Sequence, residues 1–359
     1  MKTLVMVGAG HSNLIAIKTL ATALSAEIKI VLISDVLKAP YSGMLPGFMA
    51  GYFKEDQIVF DLEKMAMLHE ITLIHAQVTR IHTASSSISI STGETIIYDC
   101  LSVNTGILPQ KIECDLKENN HLIYVKPLSH FVPKWTNFLE EKKHLQIAVI
   151  GAGSAGCEIA TAIAIRTGGN VTLITKAQEI LPELPEAARR KAMSQLAKLN
   201  IKIEVKSEVR TFSGGNIILE SGLTRAADYV FITTGAVPNS IPGDLKCDVS
   251  GFLVTNESLI VIGTENVFAA GDCISFNNDP LPKAGVYAVR QGRILAINIQ
   301  AYFSGQAMTP YIPQEKFLKI LLIGNKIALA TRGNLSIMGK LAWFLKVFLD
   351  KSFMKKYQT

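Results

Sequence analysis

At 359 residues and roughly 100–200 residues per domain, the chain has room for two or three domains. Apolar residues reach 48% and charged residues only 18%, against about 25% in ordinary globular chains. That excludes disorder, a coiled coil or a solvating tail as the main architecture. The net charge of +6 is concentrated at the end, where Lys340 to Thr359 hold five lysines and one aspartate, a net +4. This is one basic C-terminal element, not the broad basic face of a nucleic-acid binder.

The first segment, Met1 to Ala26, loosely imitates a secretory signal. Lys18 interrupts its apolar run and a glycine turn sits inside it, so a strand over Thr3–Val7 and a helix over Ser12–Leu24 fit better. A buried strand over Glu27–Ile33 follows. The order repeats later, with a strand over Gln146–Ile150, a helix over Ala155–Arg166 and a strand over Asn170–Ile174. The βαβ order predicts an α/β fold with parallel sheets.

The repeat is visible in the residues themselves. LVMVGAGHSN (Leu4–Asn13) resembles IAVIGAGSAG (Ile147–Gly156), and LSVNTGILP (Leu101–Pro109) resembles VFITTGAVP (Val230–Pro238). Two nucleotide-binding, Rossmann-like units in one chain are therefore expected. In the second, Gly151, Gly153 and Gly156 complete a G-x-G-x-x-G between strand and helix: a tight turn, an open approach for pyrophosphate and close helix packing. The helix opening at Ser154 and Ala155 would offer free N–H groups to the phosphates. In the first unit Gly8 and Gly10 are present, but Asn13 stands at the third glycine, which predicts a helix set slightly further from its strand. His11 reads as a loop residue whose backbone matters.

Neither second strand ends in the acid that binds a ribose hydroxyl. Ser34 occupies that place in the first unit, with Asp35 one step beyond. Thr175 and Lys176 occupy it in the second, where the Lys176 ammonium would accept a 2′-phosphate or stay solvated, leaving NADH and NADPH both open. The five cysteines include no C-x-x-C pair, and the histidines show no metal spacing, so neither a disulfide scaffold nor a metal site is expected and a reduced cytoplasmic setting is the simplest. Cys157 and Cys273 read as packing residues. At the C-terminus, apolar residues at 341, 344, 345, 348, 349 and 353 share one helical face. Lys340, Lys346, Asp350, Lys351 and Lys355 fall opposite, with Trp343 at the border. This amphipathic helix would lie on an anionic membrane, on its own domain or on a second subunit of a homodimer.

After the second unit an apolar strand ends in Gly271-Asp272, and Pro282-Lys283-Ala284-Gly285 opens a helix over about Val286–Tyr302. This order resembles the FAD-dependent pyridine nucleotide-disulfide oxidoreductase superfamily, including type II NADH dehydrogenases and sulfide:quinone reductases. PYSGMLPGFMAGY (Pro40–Tyr52), GAGHSN and KAGVYAVRQG (Lys283–Gly292) are similar to the flavoprotein subfamily fused to selenophosphate synthetase (selenide, water dikinase), here without the synthetase. The resemblance implies an FAD domain over 1–115 and 243–310, an NAD(P) domain over 116–242 inserted into it, and a C-terminal segment over 311–359. It implies hydride transfer from NAD(P)H to FAD and electron delivery to a small-molecule acceptor such as a quinone. The alternatives are a selenium-linked reductase working with the synthetase, or an NAD(P)H sensor with little turnover.

By the same resemblance Asp272, after Gly271, holds the ribityl chain of FAD. Lys283, Ala284 and Gly285 lie near the flavin pyrimidine, with Lys283 the candidate catalytic residue. Gly8, Gly10, His11, Ser12, Asn13, Ser34, Pro46, Thr105 and Gly106 complete the FAD set. Glu158, Lys176, Thr234 and Gly235 join the glycine turn in the NAD(P) set. Disulfide reductases carry a cysteine pair facing the flavin, but Ser42–Gly47 has none, so no dithiol relay is expected. Type II NADH dehydrogenases attach to membranes through a C-terminal helix, so a peripheral position on the inner membrane face is also implied.

Overall fold

The structure is a computed structural model describing residues 1–24, 27–114, 121–140, 145–276 and 281–358. The expected boundary at 115/116 lies outside the described residues. The helices are α1 (His11–Ala23), α2 (Leu45–Met49), α3 (Leu62–Leu68), α4 (Leu128–Leu139), α5 (Ser154–Thr167), α6 (Glu186–Lys198), α7 (Gly285–Ser304) and α8 (Lys340–Gln358).

Two parallel five-stranded sheets carry the fold. The first runs in the order Val267–Ala269, Cys100–Val103, Lys2–Val7, Ile28–Ser34, Thr72–His75. The second runs Leu122–Tyr124, Tyr229–Ile232, Gln146–Ile150, Asn170–Ile174, Lys202–Glu204. Position by position the sheets correspond, and each unit adds three antiparallel strands, at Val78–Ile97 and Val209–Ala226, the second set joined by Glu113–Cys114 as a fourth, parallel strand. Covered on both faces, the central strands are continuous apolar runs: Leu4, Val5 and Met6 are fully buried, as are Val149 and Leu173. The edge strand Val267–Ala269 of the first sheet comes after the whole second unit in sequence.

The two Thr-Gly-x-x-Pro segments meet. Ile107 pairs with Pro238 and Leu108 with Val237 in a short antiparallel ladder. Thr105 Oγ1 also donates to the Asn239 carbonyl at 2.9 Å. The repeated motif thus joins the two units.

The third-glycine position differs between the units. At Gly156 an added Cβ would run into the Gly151 carbonyl, so only glycine lets α5 sit against its strand. In the first unit the buried Asn13 uses the equivalent carbonyl as a partner. Its Nδ2 donates to Gly8 O at 2.9 Å and Val7 O at 3.1 Å, and its Oδ1 accepts from Ser102 Oγ at 2.7 Å. The space expected from the missing glycine is filled by hydrogen bonds.

The C-terminal segment is more elaborate than one helix. Lys319–Gly324, Ile327–Arg332 and Leu335–Gly339 form an antiparallel sheet ahead of α8. That sheet packs on the second unit: Leu322 N–H donates to Glu158 at 2.8 Å and Lys191 Nζ to Ser336 O at 2.8 Å. The helix packs on the first: Lys346 Nζ donates to Gly43 O at 2.8 Å and Gln358 Nε2 to Val59 O at 2.6 Å. Trp343 is buried against Tyr52, with ring centroids 4.9 Å apart. The segment is a strap across both units.

Replacing Asn13 with alanine strips the Gly8 carbonyl and the Ser102 hydroxyl of partners, each worth roughly 1–3 kcal/mol when orphaned in a core. N13A is expected to lose about 2 kcal/mol or more in urea denaturation, and unchanged stability would refute this assignment.

Candidate functional site

The two glycine turns and the Gly271-Asp272 bend lie at the carboxyl ends of parallel strands, where open α/β sheets bind ligands. Gly8 holds φ at +86° and Gly10 caps α1. A Cβ at Gly8 would come within 2.5 Å of the Asn104 carbonyl, and one at Gly10 would meet the Asn104 side chain. Asn104 Oδ1 accepts Asn13 N–H at 3.2 Å and its Nδ2 donates to Ala270 O at 2.5 Å, tying the first turn to the Gly-Asp bend. Thr233 is its counterpart, donating to Ile150 O at 2.8 Å beside Gly151 and Gly156. Both precede the Thr-Gly of the repeat, which is the signal that would have found them.

Neither α1 nor α7 has a side-chain cap or an acidic residue in its first turn. Asn13 N–H is taken by Asn104 Oδ1 and Tyr287 N–H by Ala284 O, which leaves the His11, Ser12, Gly285 and Val286 N–H groups to face an anion. The residues fit a bound dinucleotide: a first glycine turn closed to any Cβ at Gly8 and Gly10, helix ends without side-chain caps, and a buried polar atom without a partner, His11 Nε2. Burial pushes the His11 imidazole down to about 4, with Lys126 adding and Asp272 opposing.

The other FAD-set residues are placed as follows. Ser12 Oγ donates to Ala288 O at 2.9 Å, locking α1 to α7. Ser34 is buried at the end of its strand and accepts from Val36 N–H. Pro46 is buried within α2. Thr105 and Gly106, with φ +73°, lead into the inter-unit ladder. Gly271 N–H donates to Gln291 Oε1 at 2.7 Å. Asp272 forms an ion pair with Lys126 at 3.0 Å, a lysine the sequence did not single out. Lys283 is turned elsewhere: its Nζ donates to Ile274 O at 2.6 Å and lies 3.8 Å from the Phe252 ring centroid. Burial lowers its ammonium pKa, opposed by Asp272. The ammonium paired with Asp272 is that of Lys126, and Ala284 and Gly285 simply open α7.

In the second unit Gly151 has φ +106°, and a Cβ on Gly153 would enter open space, as backbone meant to touch a ligand requires. Ala155 is exposed in the first turn of α5, while Thr234 packs its methyl over Gly151 and Gly235 turns against Gln110. Lys176 pairs with Glu208 at 3.0 Å in an exposed bridge, too weak to bar a 2′-phosphate. Glu158 is not at the cradle. Its carboxylate faces the strap, where burial pushes it up to about 7 against the pull of Lys346 and the Leu322 N–H.

The buried thiols are inert. Burial raises the pKa of Cys157 and of Cys273, so neither presents a thiolate.

The model of the family described as pyridine nucleotide-disulphide oxidoreductase matches residues 2–292. The chain belongs to that family. It is an FAD-dependent NAD(P)H oxidoreductase. It is 22% identical to a type II NADH:quinone oxidoreductase of Staphylococcus aureus over 97% of this chain and 94% of the relative. Among solved structures it is similar to the sulfide:quinone oxidoreductase of Aquifex aeolicus, with a TM-score of 0.83 at 19% identity over 100% of this chain and 92% of that one. It is also similar to a water-forming NADH oxidase of Lactobacillus brevis bound to NADH, with a TM-score of 0.78 at 18% identity over 93% of this chain and 75% of that one.

His11 ties stability to pH. Its folded pKa of about 4 lies below the ordinary 6.5, so the unfolded chain binds the proton first as pH falls. Stability of the FAD-free protein is expected to be intact above about 6.5 and to fall progressively towards pH 4. His11→Asn should flatten that slope in urea midpoints, and an equally steep slope in the variant would disprove the assignment.

Proposed function

We propose that the chain passes a hydride from NAD(P)H to FAD and delivers the electrons to a quinone at a membrane surface, on which α8 lies. The overall reaction balances as NAD(P)H, a proton and quinone giving NAD(P)⁺ and quinol. The observation that carries the membrane half is the orientation of α8. The sequence pattern placed Lys346 and Asp350 opposite the apolar stripe. They are buried, 3.2 Å apart in an ion pair against the first unit. The apolar stripe points outward: Leu341 is 81% exposed, Phe344 62% and Phe348 67%, joined by Leu345 and Leu349 and by Leu335 and Ile337 of the adjoining strand. Exposed Lys340, Lys351 and Lys356 flank this stripe. An apolar face rimmed by lysines suits the interface of an anionic bilayer. Among the described residues no helix is long and apolar enough to cross a membrane. The reading is therefore a peripheral enzyme on the inner membrane face.

FAD, when bound, supplies the two-electron relay between nicotinamide and acceptor. Gly8, Gly10 and the N-terminus of α1 hold its pyrophosphate in this reading, Asp272 its ribityl chain, and the N-terminus of α7 faces its pyrimidine end. Gly151, Gly153 and the first turn of α5 hold the NAD(P)H pyrophosphate, with residues 116–242 inserted as a unit between 1–115 and 243–310. Glu158, whose carboxyl burial pushes up to about 7 where it meets the strap, suits the proton a quinone takes up. Quinone reduction by the similar Staphylococcus protein supports the acceptor. Selenophosphate synthetase as partner and an NAD(P)H-sensing role rest on resemblance alone.

The test is an anaerobic titration of the FAD-loaded protein with NADH and NADPH, then turnover with a short-chain quinone. Flavin bleaching followed by quinone-dependent reoxidation is expected, and bleaching without quinone turnover would reject the acceptor. For the membrane, F344S/F348S is the cleaner probe. Deleting 341–359 also removes the buried Trp343 and Lys346–Asp350. Two phenylalanines at roughly 1.5–3 kcal/mol each predict a loss of more than about tenfold in co-sedimentation with anionic phospholipid vesicles. Unchanged partitioning would mean that protein covers this face.

A further inference from the structure

The N-terminus of α5 already holds an anion. Glu183 Oε1 accepts the Ser154 backbone N–H at 2.9 Å and the Ser154 hydroxyl at 2.5 Å. Ser154 opens the helix directly after Gly153, where a dinucleotide pyrophosphate would take the same N–H. Glu183 reaches this place from the loop between the strand Asn170–Ile174 and α6. That loop is fastened to the glycine turn itself. Leu181 N–H donates to Ala152 O at 2.7 Å, Leu184 N–H returns to Leu181 O at 2.9 Å, and Ile180, Leu181 and Leu184 are buried. Leu181 holds φ at +48°, a left-handed turn that fixes where the next residues point. The exposed carboxylate is therefore delivered by a packed loop. The equivalent end of α1 carries no such partner.

We propose that Glu183 is a built-in competitor for the nucleotide pyrophosphate, a carboxylate that holds the anion position of α5 and must leave before NAD(P)H seats. This rests on the reading of the second glycine turn as the NAD(P) cradle. Two anions cannot share one N–H donor, so every dinucleotide binds against the cost of displacing Glu183. The device raises the nucleotide concentration needed for half-saturation, and it acts on NADH and NADPH alike because both carry the pyrophosphate. A carboxylate at a helix N-terminus is stabilised there by roughly 0.3–1 kcal/mol, or about two- to fivefold in affinity.

The experiment is calorimetric titration of the FAD-loaded protein with NAD⁺ and with NADP⁺ at low salt, for wild type, Glu183→Gln, Glu183→Ala and the same-loop control Glu179→Gln. Both Glu183 variants are expected to bind both nucleotides about two- to fivefold more tightly, with the difference shrinking as salt rises and the control matching wild type. Equal affinities in wild type and both variants overturn the proposal. Weaker NAD⁺ binding in Glu183→Gln also overturns it, by making the carboxylate a ribose ligand. Absence of binding in every protein refutes the NAD(P) cradle itself, and the competitor with it.

Discussion

A nucleotide turn works only if the helix N-terminus comes close against the end of the preceding strand, because the phosphate sits on N–H groups that the strand has to aim. In this chain the carbonyls of Gly8 and Gly151 set that distance. At Gly151 the demand is met by absence, since Gly156 brings no Cβ to the carbonyl. At Gly8 it is met by a bond, since Asn13 turns its amide into the same space. From these two contacts follow the positions of α1 and α5. Asn104 and Thr233 then lock each turn to the neighbouring strand, so the cradles are held by the sheets.

The strap depends on the opposite logic. An amphipathic helix normally buries its most apolar stripe, and α8 instead buries Ala342, Trp343, Met354 and Tyr357 around the Lys346–Asp350 pair. The arrangement is tolerable because Lys346, inside, has Gly43 O at 2.8 Å and Asp350 at 3.2 Å, so the buried ammonium is both hydrogen-bonded and paired. Tyr41 adds an O–H donor to Asp350 at 3.4 Å. A buried ion pair of this kind stabilises little compared with an apolar contact. Its effect is to fix the rotation of the helix about its own axis. With Trp343 and Met354 packed beside the pair, the phenylalanines have only one direction left, away from the protein.

The architecture was legible because it is repeated. Two G-x-G turns, two Thr-Gly-x-x-Pro strands and the strand–helix–strand order gave the central strands of both sheets to within a residue or two, while the edge strands Thr72–His75, Leu122–Tyr124 and Lys202–Glu204 carry no such motif. The pairing of the two Thr-Gly-x-x-Pro segments with each other was not visible, because register between distant strands leaves no trace in either strand alone. The C-terminal sheet was missed for a related reason, its short strands being separated by turns within a stretch read for its helix. The direction of the α8 apolar stripe stayed open in the sequence because periodicity gives a stripe and not a direction. Lys126 and Glu183 were invisible as site residues: each lies far from its partner in sequence, at 146 and 29 residues, and neither belongs to a motif.

Charge distribution separates the N-termini of α1, α7 and α5. The first turns of α1 and α7 hold no carboxylate, and the negative group near them, Asp272, is paired with Lys126. The first turn of α5 is closed by a carboxylate. A tightly held prosthetic group and an exchanging substrate place different demands on a site. The first gains from donors that nothing else occupies, and the second must leave after each turnover. An internal anion at α5 returns to its place as the oxidised nucleotide departs, so it lowers the affinity for product as much as for substrate. The asymmetry between the open ends and the closed one therefore matches the division between a cofactor that stays and a nucleotide that comes and goes.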